Sequence, residues 1–285
     1  MKAEFVSRAV AAVAALAVQL DLRVDDAVVI QNSNKLALRL LPCDVLARVA
    51  PTGQEVAALE VELALRLAVT GSPVAALAPQ VEPRVYERDG FAVTLWTYYE
   101  VVAADLGWPG AYADALQRLH ASMRGVEIAT PHFLDRVAQA LRLLTHRDET
   151  PRLGEADRQL LLSTLHDAGE RIHGRGGAEQ LLHGEPHPGN LLNTRDGLLF
   201  IDFETCCRGP VEFDVAHAPQ EVSARYRNLD HVVLAQCRRL VLAMVAAWRW
   251  DILDEFPNGH HHGRNILTLL RQGPPWPTLG TLTAD

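Results

Sequence analysis

The chain has 285 residues, 48% of them hydrophobic, and a formal net charge of -8. That length and apolar content support one large domain or two lobes sharing a cleft, and exclude a disordered polymer. The acidic balance, without any run of Lys and Arg, excludes the basic face of a nucleic-acid binder.

The chain opens with Ala-rich sequence in which Phe5, Val13, Leu16 and Leu20 recur at helical spacing. Glu4 and Arg8 interrupt the start and Asp21 ends the run, so the reading is an amphipathic helix rather than a signal peptide. β-type runs follow at 27–31, 36–40 and 45–49, punctuated by Asn32, Ser33, Asn34 and Pro42. Residues 54–69 form a helix with an apolar stripe of Val56, Leu59, Leu63 and Leu67, stopped by Gly71 and Pro73. Two strands come next, near 84–87 and 91–96, joined by Arg88-Asp89-Gly90.

From there the pattern is mainly helical, at 112–123, 133–144 and 155–173. Residues 181–192 are irregular, because Pro186, Pro188 and Gly189 forbid a helix. A short strand is expected at 198–203, helices at 212–225 and 231–250, and a Pro-rich surface tail after Gln272. His260, His261 and His262 read as a solvated loop. The fold class is therefore α+β, with a strand-rich lobe over 1–100 and a helical lobe over 101–285. No stretch reaches the ~18 apolar residues a membrane span needs, so no membrane is expected as partner, and the charge balance leaves no nucleic acid as partner either. Cys43, Cys206, Cys207 and Cys237 make no C-x-x-C pair, which argues against a zinc ribbon or redox centre and for reduced thiols in a cytoplasmic protein. Nothing in the sequence sets an oligomeric state.

The chemistry-bearing stretch is His183-Gly184-Glu185-Pro186-His187-Pro188-Gly189-Asn190, followed by Ile201-Asp202-Phe203-Glu204. An acid, an amide and a second acid on a loop and a neighbouring strand suit phosphoryl transfer: the first acid orients or deprotonates a hydroxyl, while the amide oxygen and second acid hold Mg²⁺ against a triphosphate. His183, Glu185 and His187 do not make a helical zinc site, because Pro186 lies between them. A zinc deaminase would need a P-C-x-x-C partner that Cys206-Cys207 does not provide.

The segment resembles the aminoglycoside phosphotransferase and choline kinase-like family, small-molecule relatives of the protein kinases, whose pattern is H-G-D-x-x-x-x-N followed by I-D-[FW]-[DE]. Leu119-His120 is similar to the family's L-x-x-L-H helix. Arg208-Gly209-Pro210 with Asp214 is similar to its G-[DP]-x-x-x-D continuation. The resemblance implies a two-lobed kinase-like fold, ATP (with GTP open) and Mg²⁺ as cofactors, and a small-molecule hydroxyl acceptor: aminoglycoside-like, amino-alcohol or sugar. It implies Asn190 and Asp202 as Mg²⁺ ligands, with Glu185 in the place of the catalytic aspartate and His183 structural. Arg48 stands where the family has its phosphate-binding lysine, with Glu60 as partner and Glu62 as second choice. Asn32, Ser33 and Asn34 would cover the phosphates, and Trp96, Thr97 and Tyr98 would begin the adenine-binding hinge. No catalytic role falls to His120. Trp248 and Trp250 are core or acceptor-pocket residues, and Asp251, Asp254 and Glu255 would either meet an amine or face solvent.

Two departures bear on activity. Glu185 is one methylene longer than Asp, a displacement of about 1.5 Å that costs roughly a hundredfold if nothing compensates. Arg48 replaces a point charge with a planar fork. Together they keep open a second reading, a weak or inactive pseudokinase that acts as a nucleotide- or ligand-binding module.

Overall fold

Alternation of buried and half-buried residues builds the first sheet. Leu36, Leu38 and Leu40 on β2 (Leu36–Pro42) and Val45, Ala47 and Val49 on β3 (Val45–Pro51) are fully buried, while Ala37, Arg39, Leu46 and Arg48 between them are not. A period of two sends the second set to the opposite face. The computed structural model describes residues 3–33, 35–53 and 56–282. The N-terminal sheet has strand order β1-β2-β3-β5-β4, with β1 at Val24–Asn32, β4 at Tyr86–Arg88 and β5 at Phe91–Thr97, and its pairings are antiparallel. The β4–β5 turn is Asp89-Gly90, both at positive φ (50° and 83°), the geometry of a tight two-residue hairpin.

The expected N-terminal helix is α1 (Ala3–Gln19), whose Ala9, Val13 and Leu16 close the buried face of the sheet together with Val93, Leu95 and Phe91. Phe5 meets Phe91 edge to face at 4.9 Å. Helix α2 (Val56–Ala68) buries Val61, Leu63, Ala64 and Leu67, and Glu60 with them. Gln54, expected as its first residue, lies outside the described residues.

The chain divides into two compact units: Met1–Ala104 with Leu192–Glu204, and Asp105–Leu191 with Thr205–Asp285. The hairpin β7 (Leu191–Thr194) and β8 (Gly197–Phe200) ties the second segment to the first unit. Phe200 donates its N–H to the Pro73 carbonyl at 2.8 Å and accepts from Ala75 N at 3.0 Å. Val102 N donates to the Asn193 carbonyl at 2.8 Å. These bonds carry Asp202 and Glu204 into the first unit. The strand expected over 198–203 ends at Phe200, because Asp202 turns to φ 65° and a 3-10 turn takes Phe203–Thr205. Asp is among the few residues that tolerate that left-handed geometry.

The second unit is mainly helical. Helices α3 (Trp108–Met123), α4 (Phe133–Thr145) and α5 (Glu155–His173) match the periodicity. The short strands β6 (Gln180–Leu182) and β9 (Cys207–Gly209) pair antiparallel, Leu182 opposite Cys207. The single helix expected over 212–225 is instead two pieces, α6 (Val211–Val215) and α7 (Gln220–Ser223), because Pro219 cannot continue the first. Helix α8 (His231–Trp248) is capped by Asp230, whose carboxylate accepts from Val232 N and Val233 N, and it stops two residues short of the expectation. With 18 residues and mean hydropathy 1.3, α8 is long and apolar enough to cross a membrane, contrary to the sequence expectation; 56% of it is buried inside the protein, as in a core helix. The His260–His262 run is not a loop. It forms the first turn of α9 (Gly259–Gln272), which buries Ile266, Leu267 and Leu270.

Candidate active site

In the first unit, Arg48 leaves β3 on the face turned away from α1, opposite Ala37 and Thr94. Its Nη1 donates to Glu60 Oε1 at 2.6 Å and its Nη2 to Asp202 Oδ1 at 2.8 Å. The expected Arg48–Glu60 pair is therefore present, and Glu62 pairs with Arg66 one helical turn on. A residue without a motif completes the cluster. Lys35, at the turn into β2, places Nζ 2.9 Å from Glu60 Oε2, 2.8 Å from Glu204 Oε2 and 3.5 Å from Asp202 Oδ1. Two cations thus serve three carboxylates. Burial lowers the pKa of both cations, and Glu60 and Asp202 outweigh it, so Lys35 and Arg48 are held above their ordinary values and stay charged.

In the second unit, the loop from His183 to Asn190 is fixed from beneath by Asp214. That carboxylate, wholly buried, accepts from His183 N at 2.9 Å, Gly184 N at 2.8 Å and His120 Nε2 at 2.9 Å. An ionised carboxylate only accepts, so His120 carries its proton on Nε2 and its Nδ1 faces the Tyr226 hydroxyl at 2.6 Å. Burial raises the Asp214 pKa, and the hydrogen bonds from His120 and Gly184 outweigh it, leaving the group below its ordinary value. Gly184 has φ 92°, and a Cβ there would overlap the Thr205 carbonyl oxygen, so the loop admits only glycine. Tyr112 donates its hydroxyl to the Pro186 carbonyl. His183 is fully buried, and its Nδ1 accepts weakly from Glu185 N at 3.4 Å, in keeping with a structural role.

Glu185, at the head of this loop, accepts from Arg136 Nη2 at 2.5 Å. Burial raises its pKa and the Arg136 guanidinium outweighs that, so the carboxyl lies below its ordinary range and is ionised. Asn190 donates Nδ2 to the Glu185 carbonyl at 3.0 Å, which leaves its amide oxygen as the atom to offer a metal.

The profile of the phosphotransferase enzyme family matches residues 30–256, a span that contains both groups. The chain belongs to that family.

Among solved structures, the phosphotransferase is similar to choline kinase LicA from Streptococcus pneumoniae (16% identity, 91% of this chain and 99% of that one, TM-score 0.65). It is similar to the GDP complex of wild-type aminoglycoside 2'-phosphotransferase-IIIa (13% identity, 93% and 98%, TM-score 0.66). It is also similar to amicoumacin kinase hAmiN, solved with AMP-PNP, Ca²⁺ and Ami (11% identity, 86% and 88%, TM-score 0.66). At these identities the likeness establishes the kinase-like fold. No curated protein matches the sequence. The chain is a small-molecule kinase by family membership, with an N-terminal antiparallel sheet and a helical remainder, as the sequence implied.

The other expected site residues of the phosphotransferase fall as follows. Asn32 ends β1 opposite Leu36, and Ser33 donates its N–H to the Lys35 carbonyl at 3.2 Å. Asn34 lies outside the described residues. Trp96 is buried in β5, its Nε1 donating to Thr94 Oγ1 at 2.8 Å. Thr97 N donates to the Ala76 carbonyl and Tyr98 N to the Asp44 carbonyl, at 2.9 and 3.0 Å. Those two backbone donors are engaged inside the first unit, so any base contact through them requires an exchange of partner. Asp202 and Glu204 offer hard carboxylate oxygens and already hold cationic groups, Lys35 on both and Arg48 on Asp202, so the donor chemistry fits Mg²⁺. Among the described residues no group of three or more His, Cys, Asp or Glu is arranged to hold a metal.

Sequence reasoning missed Lys35, Glu204 as its partner, and Arg136. A lone cation in a turn and an arginine on a helix carry no pattern. Only the adjacency of Lys35 to the Asn32–Asn34 turn was a signal.

Proposed function

We propose that the protein transfers the γ-phosphoryl group of ATP, with Mg²⁺ bound, to a hydroxyl of a small molecule. The observation that carries this reading is the Arg48 guanidinium bridging Glu60 and Asp202 at 2.6 and 2.8 Å. That pairing joins the phosphate-gripping position on β3, its helix partner and the metal-ligand position of the kinase-like plan. GTP is compatible with the same reading.

In this scheme the acceptor oxygen forms a bond to the γ-phosphorus, the bond to the bridging oxygen breaks, and ADP leaves. The hydroxyl proton passes to Glu185 or, through it, to water. By the family pattern Asp202 and Asn190 are the residues that would hold Mg²⁺, and the ion would neutralise charge on the phosphates. Arg48 and Lys35 exchange carboxylates for phosphate oxygens when nucleotide arrives. Because Arg136 weakens Glu185 as a base, Glu185 acts chiefly by orienting the hydroxyl, which suffices for a loose transition state. Arg136 also fixes a side chain that is one methylene longer than aspartate, which compensates for its reach.

One observation favours the second reading, a nucleotide-binding pseudokinase: Lys35 and Arg48 are already paired with Glu60, Asp202 and Glu204 without ligand. ADP release across a panel of hydroxyl compounds separates the two. Transfer in the wild type, lost in Asp202→Ala and lowered by roughly a hundredfold or more in Glu185→Ala, supports the enzyme. Wild-type turnover in Asp202→Ala sinks it.

A further inference from the structure

Glu185 opens into a pocket of about 390 Å³ that lies wholly within the second unit. Val245, Trp248, Phe256 and Ile266 form its apolar walls, on and around α8 and α9. Resting on the phosphotransfer reading of Glu185, we infer that the acceptor is a hydroxyl compound with a neutral aliphatic or aromatic body, and not an amine.

The charges decide this. Glu185 is the one carboxylate lining the pocket among the described residues, and Arg136 neutralises it at 2.5 Å. The lining guanidinium, Arg249, is matched by Asp254 at 2.7 Å. His217 is buried, and burial pushes it down to about 4, so it is neutral near pH 7. His187 and His262 supply the remaining imidazoles. An entering ammonium group finds no uncompensated carboxylate, and burying it unpaired is costly.

The aromatic walls do not make up the difference. The Arg136 guanidinium lies 5.0 Å from the Trp248 ring centroid, and that of Arg249 lies 4.2 Å from the Phe256 centroid. Each ring already carries a cation on one face, and a second would meet like charge close by. Asp251, Asp254 and Glu255, candidates from the sequence for meeting an amine, do not line this pocket; Asp251 and Asp254 line a separate one that shares Arg249 and Phe256 with it.

The test uses the full chain with Mg²⁺-ATP and follows phosphorylated product by mass spectrometry for 2-phenylethanol, choline and kanamycin. The expected result is a kcat/KM for 2-phenylethanol at least about tenfold above either amine. His262→Glu, which adds a carboxylate to the wall, should narrow that ratio. Choline or kanamycin reacting as fast as 2-phenylethanol overturns the acceptor class and leaves phosphotransfer standing. A ratio unmoved by His262→Glu overturns the assignment of this pocket to the acceptor. Absence of product from all three overturns both the acceptor class and the phosphotransfer reading.

Discussion

Asp202 and Asp214 are both carboxylates gripped by positive or N–H partners, and they are built for opposite purposes. The Asp214 side chain is 0% exposed, and its partners are two backbone N–H groups and a histidine that is itself buried. None of them has another place to go. The Asp202 side chain is 29% exposed, and its partners are the ends of Arg48 and Lys35, long side chains able to swing. A carboxylate answered by fixed backbone donors holds a shape, whereas one answered by flexible cations can trade them for a metal and a triphosphate. The first holds the loop carrying Glu185 in shape, and the second is the one that the proposed reaction would use.

That contrast breaks first at Asp214. Asp214→Ala leaves three buried donors unpaired and should destabilise the protein by about 3–5 kcal/mol. The melting temperature should drop by roughly 10 °C. A variant that melts with the wild type would mean that Asp214 is not the anchor.

The next largest effect lies at His217, beside Glu185. Its folded pKa, about 4, is below its ordinary 6.5, so between those values the unfolded chain binds the proton and the folded one does not. Its contribution to stability is therefore complete above pH 6.5, declines as the pH falls toward 4 and is constant below that. The wild type should lose on the order of 3 kcal/mol over that interval relative to His217→Asn. Parallel urea unfolding curves of the two proteins at pH 7 and pH 4.5 give the difference, and equal losses would show that His217 titrates normally.

Smaller effects belong to the exchangeable cluster and should appear in binding rather than stability. Arg48→Met should raise the KM for ATP by roughly a hundredfold, as loss of a charged phosphate donor does. Lys35→Met should raise it by about tenfold, or about 1.4 kcal/mol. Neither should lower the melting temperature as Asp214→Ala does. Lys35→Met with an unchanged KM would leave Lys35 as a structural pair alone.

The sequence was most legible where one period dominates. β2 and β3 alternate cleanly, and α5 runs from Glu155 to His173 as its stripe predicts. It was least legible where neighbours decide the outcome. α9 begins Gly-His-His-His-Gly, with no local helix signal; it forms because Ile266, Leu267 and Leu270 bury together and because Gly263 lets the helix approach Trp250 and Arg249. The site divides in the same way. Arg48, Glu60, Asp202, Glu185 and Asn190 stood out through motif and spacing. Lys35 and Arg136 reach the cluster and the loop from 25 and 49 residues away in sequence, so only folding reveals them.

In the proposed reaction Asp202 is the carboxylate that couples nucleotide to metal. Calorimetric titration of ATP into wild type and Asp202→Ala, with Mg²⁺ and then with EDTA, tests this directly. The wild type should bind more tightly with Mg²⁺, and Asp202→Ala should bind with the same affinity in both buffers. A variant that keeps the full Mg²⁺ dependence would contradict the account.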